Sequence, residues 1–350
     1  MTALRKAEAP LRATIDSIFR AAGCAPAEAA AIANHLVDAN LAGHDSHGIG
    51  MVPEYVRAIR EKRMTLNGHV RVVSDTGAVL VLDAGRAAGQ VAGAEAMDLG
   101  IQRARTNGAV VVALRQSHHL GRIGAYAERC LAAGIASVHF VNVIGHRPLV
   151  APFGGSDVRL GTNPFCAGIP RKGGAPLVLD MATSRVAYGK VRVARNAGHR
   201  VAPGTLIDGQ GRPTDDPAVM VPDVKGALLP MGEHKGSGLA LLCDILAGAF
   251  TLGGTNHAGA FDDDMIINNM FSVLLDPDAF GDGMRLAGEI EKAVAWVKAS
   301  PPAPGTDAVL VAGEPELARR AERRAEGIPV DTETWAQIAA AAATLGVTVA

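Results

Sequence analysis

The chain has 350 residues, of which 48% are hydrophobic and 20% are charged, and its formal net charge at pH 7 is −1. This near-neutral balance argues against a nucleic-acid-binding protein, which usually has a basic surplus. No run of about 18 uninterrupted apolar residues occurs, so we expect no membrane-spanning helix, and the four widely spaced cysteines without a CxxC pair are typical of a cytoplasmic protein with reduced thiols.

The N-terminal part of the chain begins with residues that are spaced as in helices. Apolar side chains from Leu11 to Phe19 repeat at helical spacing, and further helices are predicted from Pro26 to Gly43 and after Pro53. The turn between the second and third of these helices contains the segment His44-Asp45-Ser46-His47-Gly48. This is the first of two histidine segments that we single out as candidate functional sites.

The second histidine segment follows a buried strand. Val70–Val73 and Ala78–Asp83 are predicted to pair as short strands, and an alanine-rich helix is predicted from Gln90 to Arg105. The apolar run Ala109–Leu114 then leads directly into Ser117-His118-His119-Leu120-Gly121. Because active sites are common where buried strands end, this segment is expected to carry functional side chains.

The rest of the chain is predicted to alternate between helices and strands around a middle that is rich in Gly and Pro. The predicted elements are a helix from Ile123 to Leu131, a strand from Ile135 to Val141, a hairpin at Leu206–Arg212, a helix from Lys235 to Ala249, a strand from Met270 to Asp276 and helices after Gly283. The first two complete a β-turn-α-β unit with the strand that precedes the second histidine segment. Helical ends around a mixed middle predict that residues 1–70 pack with residues 285–350, and that residues 71–284 form a mixed α/β domain inserted between them.

The common motifs of nucleotide-binding and hydrolytic enzymes are missing from the sequence. Gly48-Ile49-Gly50 and Gly236-Ser237-Gly238 lack the third glycine of GxGxxG, and no Walker-type GxxxxGK[ST] occurs. A classical Rossmann domain is therefore disfavoured, although glycine turns and helix N-termini in other folds also bind dinucleotides. Neither GxSxG nor HExxH is present, so we predict no metal site and no serine hydrolase.

The histidine segments suit proton transfer to or from a substrate oxygen. Histidine is the side chain whose unperturbed pKa lies near neutrality. A carbonyl group that accepts a hydride develops negative charge on its oxygen, and a nearby imidazolium can neutralise that charge by proton transfer. His119 follows a buried strand and should be held rigidly, so it is the first candidate for this chemistry. A loop histidine that only satisfies the backbone is the alternative interpretation.

Several segments, in the same chain order, resemble the malate/L-lactate dehydrogenase family, whose members lack a Rossmann fold. The matching segments are Asp45-Ser46-His47-Gly48, Ser117-His118-His119-Leu120-Gly121, Gly161-Thr162-Asn163-Pro164, Asp180-Met181-Ala182-Thr183-Ser184, His234-Lys235-Gly236 and Gly313-Glu314. Within the family, His44–Met51, Gly145–Asn163 and Trp296–Pro301 most resemble the hydroxycarboxylate dehydrogenase B branch, which reduces 2-oxo acids with NADH or NADPH. The resemblance implies a mixed α/β fold of the L-sulfolactate dehydrogenase type, with a β-rich cofactor domain inserted between the helical terminal segments. It also implies a homodimer.

The resemblance further implies roles for individual residues. It assigns acid-base chemistry to His119 and a catalytic or carbonyl-orienting role to His47. The residues that it implies in binding of NAD or NADP are His47, Gly121, Arg122, Ile123, Val178, Leu179, Asp180, Met181, Ala182, His234, Asn268, Gly313, Glu314, Pro315 and Glu316.

One position departs from the family pattern. Many family members have an arginine three residues after the Ser-His-Gly motif, where it can pair with the substrate carboxylate, whereas this chain has Met51. We therefore expect Met51 to line a substrate pocket that favours bulkier 2-oxo acids. A substrate carboxylate still needs a charged partner, and a bidentate arginine is the usual strong solution. Arg122 is the first candidate for that partner, with Arg159 and Arg192 behind it.

The sequence thus predicts an NAD(P)-dependent 2-hydroxy-acid dehydrogenase that acts on a small 2-oxo or 2-hydroxy acid. Three alternatives stay open at this point. The first is reduction of a cyclic imine carboxylate, in which the histidine would protonate nitrogen. The second is a metal-dependent hydrolase or lyase that uses the same histidines, and the third is a dinucleotide-binding protein without catalytic activity.

Overall fold

The computed structural model describes residues 4–196, 198–221, 225–257 and 265–349. Its α-helices are α1 (Glu8–Ala21), α2 (Pro26–Leu41), α3 (Val52–Arg60), α4 (Gly89–Asn107), α5 (Gly124–Ala132), α6 (Tyr188–Asn196), α7 (His234–Asp244), α8 (Gly283–Lys298), α9 (Glu314–Glu326) and α10 (Thr332–Ala343). Its strands are β1 (Leu4–Lys6), β2 (Arg71–Asp75), β3 (Val79–Asp83), β4 (Ala109–His118), β5 (Ala136–Ile144), β6 (Phe165–Ile169), β7 (Leu177–Met181), β8 (Leu206–Ile207), β9 (Pro213–Thr214), β10 (Ala227–Leu228), β11 (Ile267–Leu275) and β12 (Ile328–Val330). The elements predicted from the sequence are confirmed, although several of their ends differ by a few residues.

Within the described residues, a seven-stranded sheet forms the centre of the molecule, in the order β2-β3-β4-β11-β5-β6-β7. Only the β3–β4 pair is parallel among its neighbouring strands, and the other pairs are antiparallel. Helices α4 and α5 bury apolar side chains against this sheet, in a core that includes Met97, Leu114 and Cys130. The sheet is therefore mostly antiparallel, whereas the sheet of a Rossmann domain is mostly parallel.

The predicted β-turn-α-β unit is present, but its two strands are not neighbours. Strand β11 lies between β4 and β5 and pairs antiparallel with both, so that Ile267 faces His118 on one side and Ile144 on the other. The sequence could not indicate this insertion, because β11 comes more than 100 residues after β5. As a consequence, β4 and β5 end at the same edge of the sheet, and this edge carries the second histidine segment.

The two ends of the chain pack together. Strand β1 pairs antiparallel with β12, and a single apolar core is built from the helices on both sides of them. Examples of its buried side chains are Ile15, Leu36, Tyr55 and Ile338. None of the described residues of this core belongs to α8, in which Val294 is the buried residue. The exact division into residues 1–70, 71–284 and 285–350 stays a prediction.

A smaller sheet, in the order β10-β8-β9, lies beside α6 and α7. Strands β8 and β9 form the hairpin that the sequence predicts. Helix α7 continues beyond Asp244 as one wider π-type turn, Ile245–Ala249, so the predicted helix to Ala249 is present in two geometries. In the part of the chain that the structure describes, no helix is both long and apolar enough to cross a bilayer.

Candidate active site

The two histidine segments meet at one edge of the large sheet. His119 directly follows β4, and His47 ends a short 3-10 helix between α2 and α3. Their imidazole rings are stacked, with centroids 5.6 Å apart and an angle of 21° between the ring planes. Both side chains are only partly buried, so a ligand can reach them. The structure thus brings together the two residues for which the sequence predicts catalytic roles.

The position of His119 is fixed through its ring and through the residue that follows it. Its Nδ1 lies 2.7 Å from the hydroxyl oxygen of Tyr55 on α3. The amide Nε2 of Gln90 on α4 donates hydrogen bonds to that hydroxyl (3.0 Å) and to the carbonyl oxygen of His119 (3.2 Å). The backbone N–H of Leu120 donates to Oδ1 of Asn268 at 2.8 Å. These bonds leave the imidazole little freedom to turn.

Sequence reasoning does not identify Tyr55 or Gln90 as functional residues. Both lie on helices at positions that the spacing of apolar residues assigns to the core, and both are buried. The signal that could have found them is chemical, because a buried phenol or amide must have hydrogen-bond partners inside the protein. That requirement does not specify which partner is used, and here it is His119.

Both stacked imidazoles are neutral in this environment at pH 7. Burial lowers the pKa of His119 well below its ordinary value of 6.5, and neighbouring histidines, His47 foremost, lower it further. Burial also lowers the pKa of His47, although the negative charge of Asp180 acts in the opposite direction. A proton that is delivered to a substrate oxygen must therefore enter the site when substrate binds.

The turn after His119 is held close to helix α2. Gly121 has a positive φ of +72°, and a Cβ atom at this position would lie 2.4 Å from Nε2 of His35. The same nitrogen of His35 accepts a hydrogen bond from the backbone N–H of Arg122 at 2.9 Å. Burial lowers the pKa of His35 to about 3, so its ring stays a neutral acceptor. Only glycine allows this approach.

The guanidinium of Arg122 is committed to partners inside the protein. Its side chain is 1% exposed and makes a bidentate bond to Glu128, with N–O distances of 2.5 and 3.0 Å. Its Nε lies 3.7 Å from Oδ2 of Asp180, and Glu128 also binds Arg320 of α9 at 3.1 Å. Burial acts to lower the pKa of Arg122, but the bonds to Glu128 raise it. The geometry thus favours a structural role for Arg122 over the expected contact with the substrate carboxylate, which stays a prediction.

The residues implied in cofactor binding on β7 and at the start of α9 lie side by side. The N–H of Val178 donates to the carbonyl oxygen of Ala312 at 3.3 Å. Gly313 has a φ of +94°, and a Cβ atom there would lie 3.2 Å from the backbone nitrogen of Val178. Helix α9 begins at Glu314, and the N–H groups at a helix N-terminus favour anions. The carboxylate of Glu316 in its first turn lies 3.6 Å from Nε2 of His44, so α9 reaches the first histidine segment.

The start of α9 packs closely on the end of β7 at which Val178 lies. A side chain at position 313 would be strained by the positive φ and would be tight against the backbone of Val178. The side chain of Leu179 is 40% exposed at that strand end and offers an apolar contact. Met181 and Ala182, which follow, are partly exposed, whereas Ile123 is buried. The side chain of Asp180 accepts the N–H of Gly124 at the start of α5, so a contact from Asp180 to a cofactor would come from its backbone.

Two residues implied in cofactor binding, His234 and Asn268, lie apart from the contact between β7 and α9. His234 is exposed at the start of α7, where its ring packs edge-on against Phe153 with centroids 5.8 Å apart. It lines a separate cavity of about 720 Å³. Asn268 is buried, and its Oδ1 accepts the N–H of Leu120 while its Nδ2 donates to the carbonyl oxygen of Asn142 at 3.0 Å. The geometry of Asn268 favours positioning of the His119 segment, and its expected contact with a cofactor stays a prediction.

Met51 lies at the start of α3, partly buried, and packs against the core shared by the terminal helices. Met51 is thus close in sequence to the first histidine segment, and its side chain packs against that core. Its predicted role in lining a substrate pocket stays a prediction. Among residues 4–196, 198–221, 225–257 and 265–349, no group of three or more His, Cys, Asp or Glu side chains is arranged to hold a metal ion.

Comparison with known proteins supports one family. The model of the malate/L-lactate dehydrogenase family matches residues 7–339. The chain is similar to hydroxycarboxylate dehydrogenase B of Escherichia coli strain K12, with 48% identity over 338 residues that cover 96% of this chain and 93% of the relative.

Two solved structures are similar over nearly their whole length. One is a putative malate/lactate dehydrogenase from E. coli, with 47% identity, a TM-score of 0.94 and coverage of 98% of this chain and 96% of that chain. The other is the sulfolactate dehydrogenase from Methanocaldococcus jannaschii, with 29% identity, a TM-score of 0.87 and coverage of 99% and 98%. The expected fold, a mixed α/β fold of the sulfolactate dehydrogenase type, is confirmed.

Proposed function

Because the chain belongs to the malate/L-lactate dehydrogenase family and is an NAD(P)-dependent oxidoreductase, we propose that it reduces 2-oxo acids to 2-hydroxy acids, reversibly, with His119 as the acid-base group. The observation that carries this proposal is the stacked pair of His47 and His119 at the end of a buried strand. Neither ring is tied to a carboxylate in the bonds described above. The pair is therefore available to interact with a ligand.

In the proposed reaction, the side chains of the protein position the substrate and supply the proton that its oxygen takes up. NAD or NADP supplies the hydride that C2 of the substrate accepts. As negative charge develops on the substrate oxygen, His119 donates the proton that neutralises it. His47 stacks on His119 and limits the positions that the substrate carbonyl can take. We propose that the strand end Val178–Ala182, the turn Gly121–Ile123 and the start of α9, Gly313–Glu316, hold the cofactor, largely through the backbone.

The proposed reaction is tested by the loss of absorbance at 340 nm when NADH or NADPH is mixed with pyruvate, 2-oxoglutarate or phenylpyruvate. Oxidation of the nicotinamide with at least one 2-oxo acid is the expected result. A response only to a cyclic imine carboxylate would favour the imine reductase instead. A hydrolytic activity that needs no nicotinamide and is lost with a chelator would replace the proposal by a metal-dependent enzyme. If the cofactor binds but none of these substrates reacts, a binding protein without catalysis is the better account.

With Arg122 committed to Glu128, we propose Arg192 as the partner of the substrate carboxylate. Arg192 lies on α6 three residues after Gly189, so both residues share one face of the helix. A Cβ atom on Gly189 would lie 2.8 Å from Cβ of Ser46, so this face packs on the turn that carries His47. The other candidate, Arg159, pairs with Asp157 at 2.8 Å, and both of those side chains are more than half exposed.

The change Arg192→Gln is expected to raise the KM for the 2-oxo acid by roughly 10- to 100-fold, because a hydrogen bond to a charged group contributes about 1.5–3 kcal/mol. The KM for the cofactor should stay within about twofold. Steady-state kinetics measure both values, and Arg195→Gln, one helical turn further along α6, is the matched control. An equal effect of the two changes would show that general charge, and not a specific contact, is responsible.

We further propose a homodimer that associates through an apolar surface on α7 and the turn that follows it. This α7 surface consists of the exposed side chains Leu241, Leu242, Ile245, Phe250 and Leu252. Contiguous exposed apolar side chains of this kind mark association sites, and a self-complementary patch gives a two-fold dimer. We expect light scattering to show twice the chain mass of 36.0 kDa. Phe250→Asp should shift the protein towards the monomer, and an unchanged mass in this variant would place the interface elsewhere.

A further inference from the structure

The side chain of Gln90 contacts both His119, the proposed acid-base residue, and the tyrosine that is bonded to its ring. Gln90 is 3% exposed in helix α4. Its Nε2 lies 3.0 Å from the hydroxyl oxygen of Tyr55 and 3.2 Å from the carbonyl oxygen of His119. Tyr55 is fully buried, and its hydroxyl lies 2.7 Å from Nδ1 of His119. These three residues form a closed chain of hydrogen bonds around one imidazole.

The orientation of the Gln90 amide is determined by the backbone. A carbonyl oxygen only accepts hydrogen bonds, so the amide atom that faces the His119 carbonyl must be the NH2 group. The flipped amide would place two acceptor oxygens 3.2 Å apart, without a hydrogen between them. The second hydrogen of the same NH2 group then points to the hydroxyl oxygen of Tyr55.

This orientation fixes the direction of the remaining hydrogen bond. Tyr55 accepts from Gln90, so its single hydroxyl hydrogen must be donated elsewhere, and a buried donor without an acceptor costs free energy. Within the described residues, the acceptor in reach of the hydroxyl is Nδ1 of His119. A nitrogen that accepts this bond carries no proton of its own. We infer that Gln90, acting through Tyr55, holds neutral His119 in the tautomer that has its proton on Nε2.

The other neighbours of the ring do not dictate a tautomer. The ring of His47 stacks face to face on His119, a contact that involves no ring N–H. The ring of His118 packs edge-on against Tyr55 with centroids 5.4 Å apart, on the tyrosine and not on His119. Gln90 is therefore a positioning residue, since it touches Tyr55 and the backbone of His119.

The tautomer has a consequence for the proposed reduction of 2-oxo acids. This consequence rests on the proposed function, whereas the tautomer itself does not. With its proton on Nε2, His119 presents a hydrogen-bond donor to a substrate oxygen before any charge develops there. A donor that is already in place stabilises that charge without rearrangement. A histidine in the wrong tautomer loses orders of magnitude in turnover in other enzymes. The proton taken up with substrate adds at Nδ1, and Tyr55 must then turn from donor to acceptor.

The tautomer can be observed directly by nitrogen-15 NMR of the full-length protein labelled at histidine. Protonated and unprotonated ring nitrogens have well-separated chemical shifts, and the signals of His119 are those missing in a His119→Asn sample. At pH 7 we expect Nε2 of His119 to be protonated and Nδ1 to be unprotonated. A proton on Nδ1 in the unmodified protein would overturn the inference.

Gln90→Glu is the variant expected to reverse the tautomer. A carboxylate at this position accepts the Tyr55 hydroxyl, so that Tyr55 in turn accepts a hydrogen bond from Nδ1–H of His119. We expect the proton to move to Nδ1 and the decline of kcat/KM for reduction to shift to higher pH, because the imidazolium now has acceptors for both N–H groups. Gln90→Met fills the space but removes the donor to Tyr55, so the hydroxyl is free to accept from Nδ1–H and the preference for a proton on Nε2 should weaken.

A second variant keeps the inference testable where a buried glutamate prevents folding. Tyr55→Phe removes the hydroxyl, and both ring nitrogens of His119 should then move towards averaged shifts. In the double variant Gln90→Met/Tyr55→Phe no further change is expected, because Gln90 acts through Tyr55. If Gln90→Glu folds and keeps the proton on Nε2, or if Tyr55→Phe leaves the spectrum unchanged, the inference is wrong. These spectra need no substrate, so failure of the proposed reaction and failure of this inference are distinguishable.

Discussion

Replacement of His119 by asparagine is expected to lower the turnover number for 2-oxo acid reduction by on the order of 10²-fold or more, as loss of a general acid does. Asparagine can still donate a hydrogen bond, but it cannot deliver a proton at neutral pH. Binding of NADH, measured by fluorescence titration, should change little, because the proposed cofactor contacts, on β7, in the turn Gly121–Ile123 and at the start of α9, are largely with the backbone and do not include the side chain of His119. Turnover near that of the unmodified enzyme would remove His119 from its role.

The pH dependence of kcat/KM in the His119→Asn variant distinguishes loss of the general acid from a local disturbance of the structure. The pKa of His119 in the free enzyme lies well below 6.5, so the protonated form becomes rarer throughout the range above that value. For a reaction that needs the protonated form, log kcat/KM should fall by about one unit per pH unit between roughly pH 6.5 and 8.5. The slope should disappear in His119→Asn. His69→Asn, which removes an exposed imidazole bonded to Glu95, is the control and should keep both turnover and slope.

The sequence predicts the elements of this fold better than their arrangement. Regular apolar spacing marks the helices and the strand before His119, because burial on one face is a local property of the chain. The pairing of β11 with both β4 and β5 is not local, and nothing in residues 109–144 indicates that a strand from residues 267–275 will separate them. The common edge that brings the site together is thus a property of the whole sheet.

The sequence also predicts part of the site. Histidine segments closed by glycine mark His47 and His119, because these residue types are unusual in a simple turn and suit proton transfer. The buried supports of the site are not marked in this way. Tyr55 and Gln90 have the spacing of core residues, and their polar groups acquire a role only through the direction of bonds to His119.

For Arg122, the sequence suggests a ligand contact where the structure shows contacts within the protein. An arginine inside a functional segment suggests a ligand contact, but its carboxylate partners come from elsewhere in the chain. Glu128 lies on the next helix, Asp180 on a strand at the far side of the sheet order, and Arg320 on α9 shares Glu128. This cluster joins the segment after His119 to β7 and to the C-terminal helices, and its burial could not be read from the local sequence.

The change Arg122→Gln is therefore expected to destabilise the protein. It removes the buried guanidinium that bonds Glu128 and lies beside Asp180. Because Glu128 is 37% exposed and keeps its pair with Arg320, we expect a loss of about 1.5–3 kcal/mol of the free energy of unfolding, as for a hydrogen bond to a charged group, and less than for a fully buried pair. Urea denaturation followed by circular dichroism measures the effect. Arg129→Gln, in helix α5 that follows Arg122, is the matched control. Arg129 forms a bidentate pair with Asp98 in which both side chains are nearly half exposed, and such exposed pairs contribute about 1 kcal/mol or less.

The two roles considered for Arg122 give opposite results in this experiment. A structural role lowers the urea midpoint and leaves the KM for the 2-oxo acid within about twofold of that of the unmodified protein. A role in binding the substrate carboxylate leaves the midpoint near that of the unmodified protein and raises the KM for the 2-oxo acid at least tenfold. Because the guanidinium is 1% exposed and bonded to Glu128 through two nitrogens, we expect the first result.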